Sequence, residues 1–315
     1  QARLPVALIA HGKPRTRQKQ LDAHPDRMLA QARDLALRGW LSVVVMRRGF
    51  GASDGSSPVR LSCRNLQTLK AYFDASADDL QGTIKALARR ADADTDRVIV
   101  VGASAGGAAA VALAARNPKG LVAVVSVSGG LHSFDCDKDP ALIDAYAQYG
   151  ARSRVPSLWV YARNDSLFSV RLVDRLHRAF VAAGGDAKLV MVEDVGDDGH
   201  TMFNATKGRH LWLTELDGFL RRLKLPVWPD RHIDSLVKSI STKTATRDVA
   251  ERYLSAPSQK AFAASADGHA WGSAWGYKTM AEARSRAVAE CGKRSMQAPC
   301  GIVMENYTAP ARPAH

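Results

Sequence analysis

The chain has 315 residues, 46% hydrophobic and 24% charged, enough to bury one large core and a smaller second one. No apolar run approaches the length of a membrane-spanning helix. The net charge of +13 favours anionic surroundings, but the basic residues are scattered and no helix-turn-helix, zinc-finger or RNP pattern accompanies them, which argues against nucleic acid as the partner.

Gln1-Ala-Arg3 leads almost directly into an apolar run and reads as a mature or trimmed chain lacking its targeting segment. Leu4 to Ala10 is continuously apolar, as expected for a parallel strand covered on both faces, and it ends in His11-Gly12-Lys13-Pro14. Residues 26–38 carry Met28, Leu29, Ala32, Leu35 and Ala36 at helical spacing, with Gly39 as a stop. Trp40 to Met46 is the next buried strand and runs into the turn-rich loop Arg47 to Gly55. Leu66 to Arg90 is helical, with Asp78 and Asp79 expected on its exposed side. Asp92 to Asp96 resembles a fragment of a calcium loop but lacks the later glycine and glutamate, so it reads as a connection, and no metal or cofactor is expected.

The stretch Arg97 to Arg116 is a β-branched strand, the pentapeptide Gly102-Ala103-Ser104-Ala105-Gly106, and an alanine-rich helix. A serine at the apex of a sharp strand-to-helix turn needs neighbours without a Cβ, so that strand and helix can approach. The free N–H groups and positive dipole end of the helix then face negative charge developing at Ser104, and the N–H of Ala105 is placed to hold an oxyanion. A glycine-rich turn that only packs is the alternative, and the presence or absence of an acid and a base past the ends of later strands decides between the two.

Leu121 to Val127 is another buried strand, ending at Ser128-Gly129-Gly130. Residues 131–154 break the rhythm and read as an insertion over a pocket, with a short helix near 141–149. Pro156 to Tyr161 is a strand that delivers Asn164-Asp165; residues 170–183 form an amphipathic helix; Lys188 to Val192 is the last strand of the series, followed by Asp197-Asp198-Gly199-His200 and a closing helix at 211–223. Strands alternating with helices in this way give a doubly wound, mostly parallel α/β sheet with its sites beyond the carboxyl ends of the strands.

Past those ends lie Ser104, Asp165 and His200 in chain order. A serine hydroxyl needs a base, the role expected of His200, and Asp165 would hold the imidazole tautomer. Asp165 could instead cap the following helix. Rival acids are Asp194, Asp197 and Asp198; rival bases are His132 and His210.

The tail divides into a connector with one helix, 230–256, and a small unit, 257–309, with 310–315 beyond it; the larger domain takes 1–229. The unit has a strand at Lys260, a Trp- and Gly-rich run Ala270 to Tyr277, a helix from Met280 to Cys291 capped by Thr279, and a final strand Cys300 to Met304. Trp271, Trp275 and Tyr277 are expected in its core, the alternative being a surface on which a glycan or polymer stacks. The four cysteines have no Cys-x-x-Cys spacing. Cys291 and Cys300 flank a short loop and are expected to pair, leaving Cys63 with Cys136, although three connectivities are formally open. Paired cysteines place the protein in the periplasm or outside the cell.

The motifs His11-Gly12, Arg48-Gly-Phe-Gly-Ala-Ser-Asp54, Gly102-Ala-Ser-Ala-Gly-Gly107, Tyr161-Ala-Arg-Asn-Asp165 and Asp198-Gly-His200 make residues 4–223 resemble the α/β-hydrolase superfamily, on the side of its dienelactone-hydrolase-like bacterial esterases. Dienelactone hydrolases proper use a cysteine where this chain has Ser104, so the resemblance implies a general serine esterase and not that substrate. It also implies a second oxyanion donor in the loop after the first strand, which falls on the N–H of Lys13, with Gly12 allowing close approach and Pro14 lacking an N–H. The small unit resembles a secreted, Cys-paired bacterial domain that has no assigned function. The expectation is a secreted or periplasmic hydrolase of a small-molecule or polymeric carboxylic ester, with cell-wall or polymer contact through the C-terminal unit. A serine peptidase with the same machinery, or a non-catalytic envelope-binding protein on the same scaffold, are the alternatives.

Overall fold

The computed structural model describes residues 3–56, 61–62, 65, 67–132, 137–205, 208–238, 246–295 and 298–307. Two compact units divide the chain between Asn204 and Ala205.

The first unit runs β1 (Leu4–Ala10), α1 (Arg17–Leu21), a 3-10 turn (Pro25–Met28), α2 (Leu29–Leu37), β2 (Leu41–Val45), α3 (Gln67–Leu87), β3 (Ala93–Ala103), α4 (Ala105–Ala114), β4 (Leu121–Val127), α5 (Asp139–Arg152), β5 (Ser157–Ala162), α6 (Val170–Ala182), β6 (Ala187–Val192) and a 3-10 turn (Gly199–Thr201). Its six strands are all parallel, in the order β2-β1-β3-β4-β5-β6. Val6, Leu8, Val98, Val100 and Val124 pack into one core with α3, α4 and α5. The alternating Ala7, Ile9, Ile99 and Val101 are equally buried, which is why these strands read as unbroken apolar runs. The chain passes from β2 on one side of β1 to β3 on the other, so a crevice opens between the carboxyl ends of β1 and β3. The loops bearing Gly12 and Ser104 flank it.

Several elements differ from expectation. The Asp92 to Asp96 run is no loose connection: β3 starts at Ala93 and pairs with Leu4, while Arg90 and Arg97 sit 2.7 Å from the carboxylates of Asp92 and Asp94. Asp79 is not on a solvated face, because Arg48 lies against it, Nε to Oδ1 at 2.7 Å. The region after β4 carries a full helix, α5, whose Leu142, Tyr146 and Tyr149 enter the core; residues 133–136 lie outside the described ones. α1 and the first 3-10 turn were not legible, being too short for a period to show.

The second unit comprises α7 (Arg209–Arg222), α8 (Asp230–Val237), α9 (Thr246–Ser255), β7 (Ala261–Ser265), β8 (Trp271–Ala274), α10 (Met280–Gly292) and β9 (Cys300–Glu305). The sequence boundary at 229 comes after the last helix behind the last parallel strand, but by packing α7 groups with the second unit: Glu251 of α9 is buried between Arg221 of α7 and Arg247. The connector 230–256, expected to hold one helix, carries two among the described residues, α8 and α9. The sheet is antiparallel, ordered β8-β7-β9. Thr279 and Glu282 form a reciprocal capping box at the start of α10. Cys291 and Cys300 are disulfide-bonded, with Cα atoms 6.1 Å apart; Cys63 and Cys136 lie outside the described residues.

Candidate active site

Ser104 follows the last residue of β3 with φ 52° and ψ −123°, a backbone state that costs a non-glycine residue about 1–3 kcal/mol. Three backbone hydrogen bonds hold it there. Its N–H donates to Val127 O at 3.0 Å, and its carbonyl accepts from Ala108 and Gly130 at 3.1 and 3.0 Å. The flanking glycines are steric necessities: a Cβ on Gly102 would lie 2.2 Å from Gly106 O, and one on Gly106 would lie 2.2 Å from Ala10 O.

Ser104 Oγ is 3.2 Å from His200 Nε2, and His200 Nδ1 is 3.1 and 3.2 Å from the two oxygens of Asp165. The Asp165 carboxylate is fully buried, while the imidazole keeps 18% of its side-chain surface. Asp165 Oδ1 also accepts the N–H groups of Leu167 and Phe168 at 3.0 and 3.1 Å, and Ser169 caps α6. Phe168, buried, packs its ring 5.5 Å from that of His200. With Nδ1–H donating to the carboxylate, Nε2 is free to accept from the serine hydroxyl.

The rival residues stand elsewhere. Asp194 and Asp197 are exposed. Asp198 ties down the loop bearing His200: its Oδ1 accepts His200 N–H at 2.9 Å and Ser166 N–H at 3.1 Å, and its Oδ2 accepts the Ser166 hydroxyl at 2.9 Å. Burial pushes the Asp198 carboxyl up, but these donors outweigh it and hold it below the usual carboxylate range. His210 lies on α7 with its ring 5.7 Å from that of Trp275. His132 is half-buried after β4.

Two supporting residues escaped the sequence reading. Asn164 clamps the β5 and β6 loops together, its Oδ1 accepting Val195 N–H at 2.9 Å and its Nδ2 donating to Gly196 O at 3.1 Å. Arg47 is buried, and its guanidinium donates to His11 O at 2.6 Å, Gly12 O at 3.4 Å and Ser76 Oγ at 3.0 Å. It therefore fixes the two carbonyls of the loop that faces Ser104. His11 completes this support. Its Nδ1–H donates to Gly12 O at 2.7 Å, and its Nε2 accepts Arg47 N–H at 3.3 Å. Burial, then the Arg47 charge, lowers the His11 pKa to about 3, so the ring is neutral. The only local signal for either was a polar residue at the end of an apolar strand.

A Cβ on Gly12 would meet Ser104 Cβ at 3.2 Å, so the loop after β1 runs against the serine. Ala105 opens α4, where the N–H groups have no intrahelical acceptor. Lys13 is half-buried, and burial lowers its ammonium pKa.

The model of the X-Pro dipeptidyl-peptidase (S15) family matches residues 2–139. No curated protein matches the chain. Among solved structures, esterase PE8 aligns with a TM-score of 0.50 at 20% identity, over 70% of this chain and 93% of that one. The chain has the α/β-hydrolase fold. Lower similarity extends to esterase Pf2001 of Pyrococcus furiosus, with TM-score 0.47 and 16% identity over 70% of this chain and 83% of that one. It extends also to the dienelactone hydrolase-like promiscuous phosphotriesterase P91 from metagenomic libraries, with 0.43 and 18% over 62% and 72%. The residues 2–139 that the family model matches include Gly12 and Ser104, while Asp165 and His200 lie beyond them.

Proposed function

We propose that the protein is a serine hydrolase that cleaves carboxylic esters through an acyl-enzyme. One observation carries the proposal: Ser104 Oγ, His200 and the buried Asp165 carboxylate are hydrogen-bonded in line. Ser104 Oγ attacks the acyl carbon as His200 Nε2 takes its proton, and the Asp165 carboxylate stabilises the imidazolium. The N–H groups of Ala105 and Lys13 hold the oxyanion. The C–O bond to the leaving alkoxide then breaks, and His200 returns the proton to it. Water, deprotonated by the same imidazole, attacks the acyl carbon, and the carboxylic acid leaves as Ser104 regains its proton.

A fluorophosphonate probe tests this. Stoichiometric labelling of the wild type that is lost in Ser104→Ala is expected. A folded wild type that stays unlabelled overturns the reading and leaves an envelope-binding role on the same scaffold.

The S15 family match favours a second reading, a serine peptidase or amidase using the same groups. Hydrolysis of p-nitrophenyl esters of graded acyl length, set against an X-Pro p-nitroanilide, separates the two. The Cys291–Cys300 bridge supports a periplasmic or secreted setting.

A further inference from the structure

The second unit carries a groove of about 410 Å³ between α9, the β8 strand with the turn after it, and α10. Its aromatic lining stands outside the cluster packed between the sheet and α10. Phe262 and Tyr253 are buried elsewhere in the unit, while between the sheet and α10 the core consists of alanines, among them Ala261, Ala263, Ala283 and Ala287, together with Cys291. Small side chains suffice there because the sheet and α10 lie close: a Cβ on Gly272 would meet Ala287 O at 2.3 Å. The expectation that Trp271, Trp275 and Tyr277 fill the core is thus replaced by a finding that all three line the groove. Tyr277 is 38% exposed and Trp275 is half-buried.

Cations stand among these rings. Arg294 lies with its guanidinium carbon 4.9 Å above the Trp271 ring, held by a 2.7 Å bond from Nη1 to Trp271 O, while Phe262 stacks on the same indole at 5.7 Å and 11°. Arg252 is exposed and forms no ion pair among the described residues. The acid in the lining, Glu290, is already engaged by Arg286 at 2.7 Å and Lys293 at 2.9 Å, so the groove keeps a positive surplus.

A flat apolar ring beside an unengaged guanidinium matches a particular chemistry. The C–H face of a pyranose packs on an aromatic ring, and a carboxylate on the same sugar takes the planar fork of an arginine. A neutral glycan would leave Arg252 unused. Single-stranded nucleic acid also uses rings beside cations, but the sequence carries no RNP or other nucleic-acid-binding pattern, and DNA is the competing outcome of the test. We propose that this groove binds a carboxylate-bearing polysaccharide, a polyuronate, with a sugar face on Trp275 or Tyr277 and its carboxylate on Arg252. The proposal does not rest on the esterase reading.

Native affinity electrophoresis of the whole chain in gels containing polygalacturonate, dextran or single-stranded DNA tests it. Polygalacturonate should retard the wild type and dextran should not. Trp275→Ala, which leaves the charge unchanged, and Arg252→Gln should each weaken retardation about fivefold. Lys119→Gln, which removes another exposed positive charge on the other unit, should change it less than about twofold. Equal effects of Arg252→Gln and Lys119→Gln, retardation by dextran, or DNA binding with the same dependence on Trp275 overturns the proposal. Arg252 is a solvent-exposed position, so its variant reports on the groove even if Trp275→Ala fails to fold.

Discussion

His200 Nδ1 sits 3.1 and 3.2 Å from the two carboxylate oxygens of Asp165, and the same Oδ1 accepts two backbone N–H groups from Asp165's own turn. The turn therefore sets the orientation of the carboxylate, and the imidazole is received by an acceptor already in place. Bonding the turn and bonding the histidine, which compete as sequence readings, are both done by one carboxylate.

Asp165→Asn should lower turnover of a p-nitrophenyl ester by about ten-thousandfold, because an amide nitrogen facing Nδ1 enforces the wrong tautomer. Asp198→Asn leaves the imidazole's partner intact and loosens only its loop, so its loss should stay within about tenfold. A larger loss for Asp198→Asn in the same assay moves the orienting acid to that position.

Arg47→Met removes the donors to His11 O and Gly12 O at a buried place. Gly12 O keeps its bond from His11 Nδ1–H, but stranding the His11 carbonyl should cost about 1–3 kcal/mol in urea unfolding. Turnover should also fall relative to KM, since the loop against Ser104 loses its support. Full turnover in a variant that has lost stability would separate Arg47 from the action of the loop against Ser104.

Gly106→Ala drives a Cβ to 2.2 Å from Ala10 O, so it should destabilise by more than about 3 kcal/mol or abolish soluble expression. Gly82, in the middle of α3, has nothing within 4 Å of a Cβ, and Gly82→Ala should stabilise by about 0.5–1 kcal/mol. Thermal melting of the two variants checks both signs.

His11 has a folded pKa of about 3 against an ordinary value of 6.5. The unfolded chain therefore binds the proton first as pH falls. The stabilisation is complete above pH 6.5 and is lost progressively toward pH 3, at up to about 1.4 kcal/mol per pH unit. Urea midpoints taken between about pH 6 and pH 4 should fall more steeply for the wild type than for His11→Gln; parallel slopes would show that this ring does not carry the acid sensitivity.

The parallel strands were legible because each is buried on both faces and so appears as an apolar run, and Ser104 was legible because close approach of β3, α4 and β1 tolerates only glycine at 102 and 106. Asp165 and His200 could be ranked by chain order, but which acid faces the imidazole nitrogen and which the backbone N–H of His200 could not be read, since two acids near one histidine differ only in direction. The local sequence also determined the capping box of α10 and the pairing of Cys291 with Cys300, both set by residues a few positions apart. What the tertiary structure alone decided is the environment of Arg47, the clamp made by Asn164, the second helix between 230 and 256, and the placing of Trp271, Trp275 and Tyr277 along a groove instead of in a core. Each of these depends on which backbone comes within about 3 Å of a side chain from a distant element, and periodicity along one strand or helix carries no information about that distance.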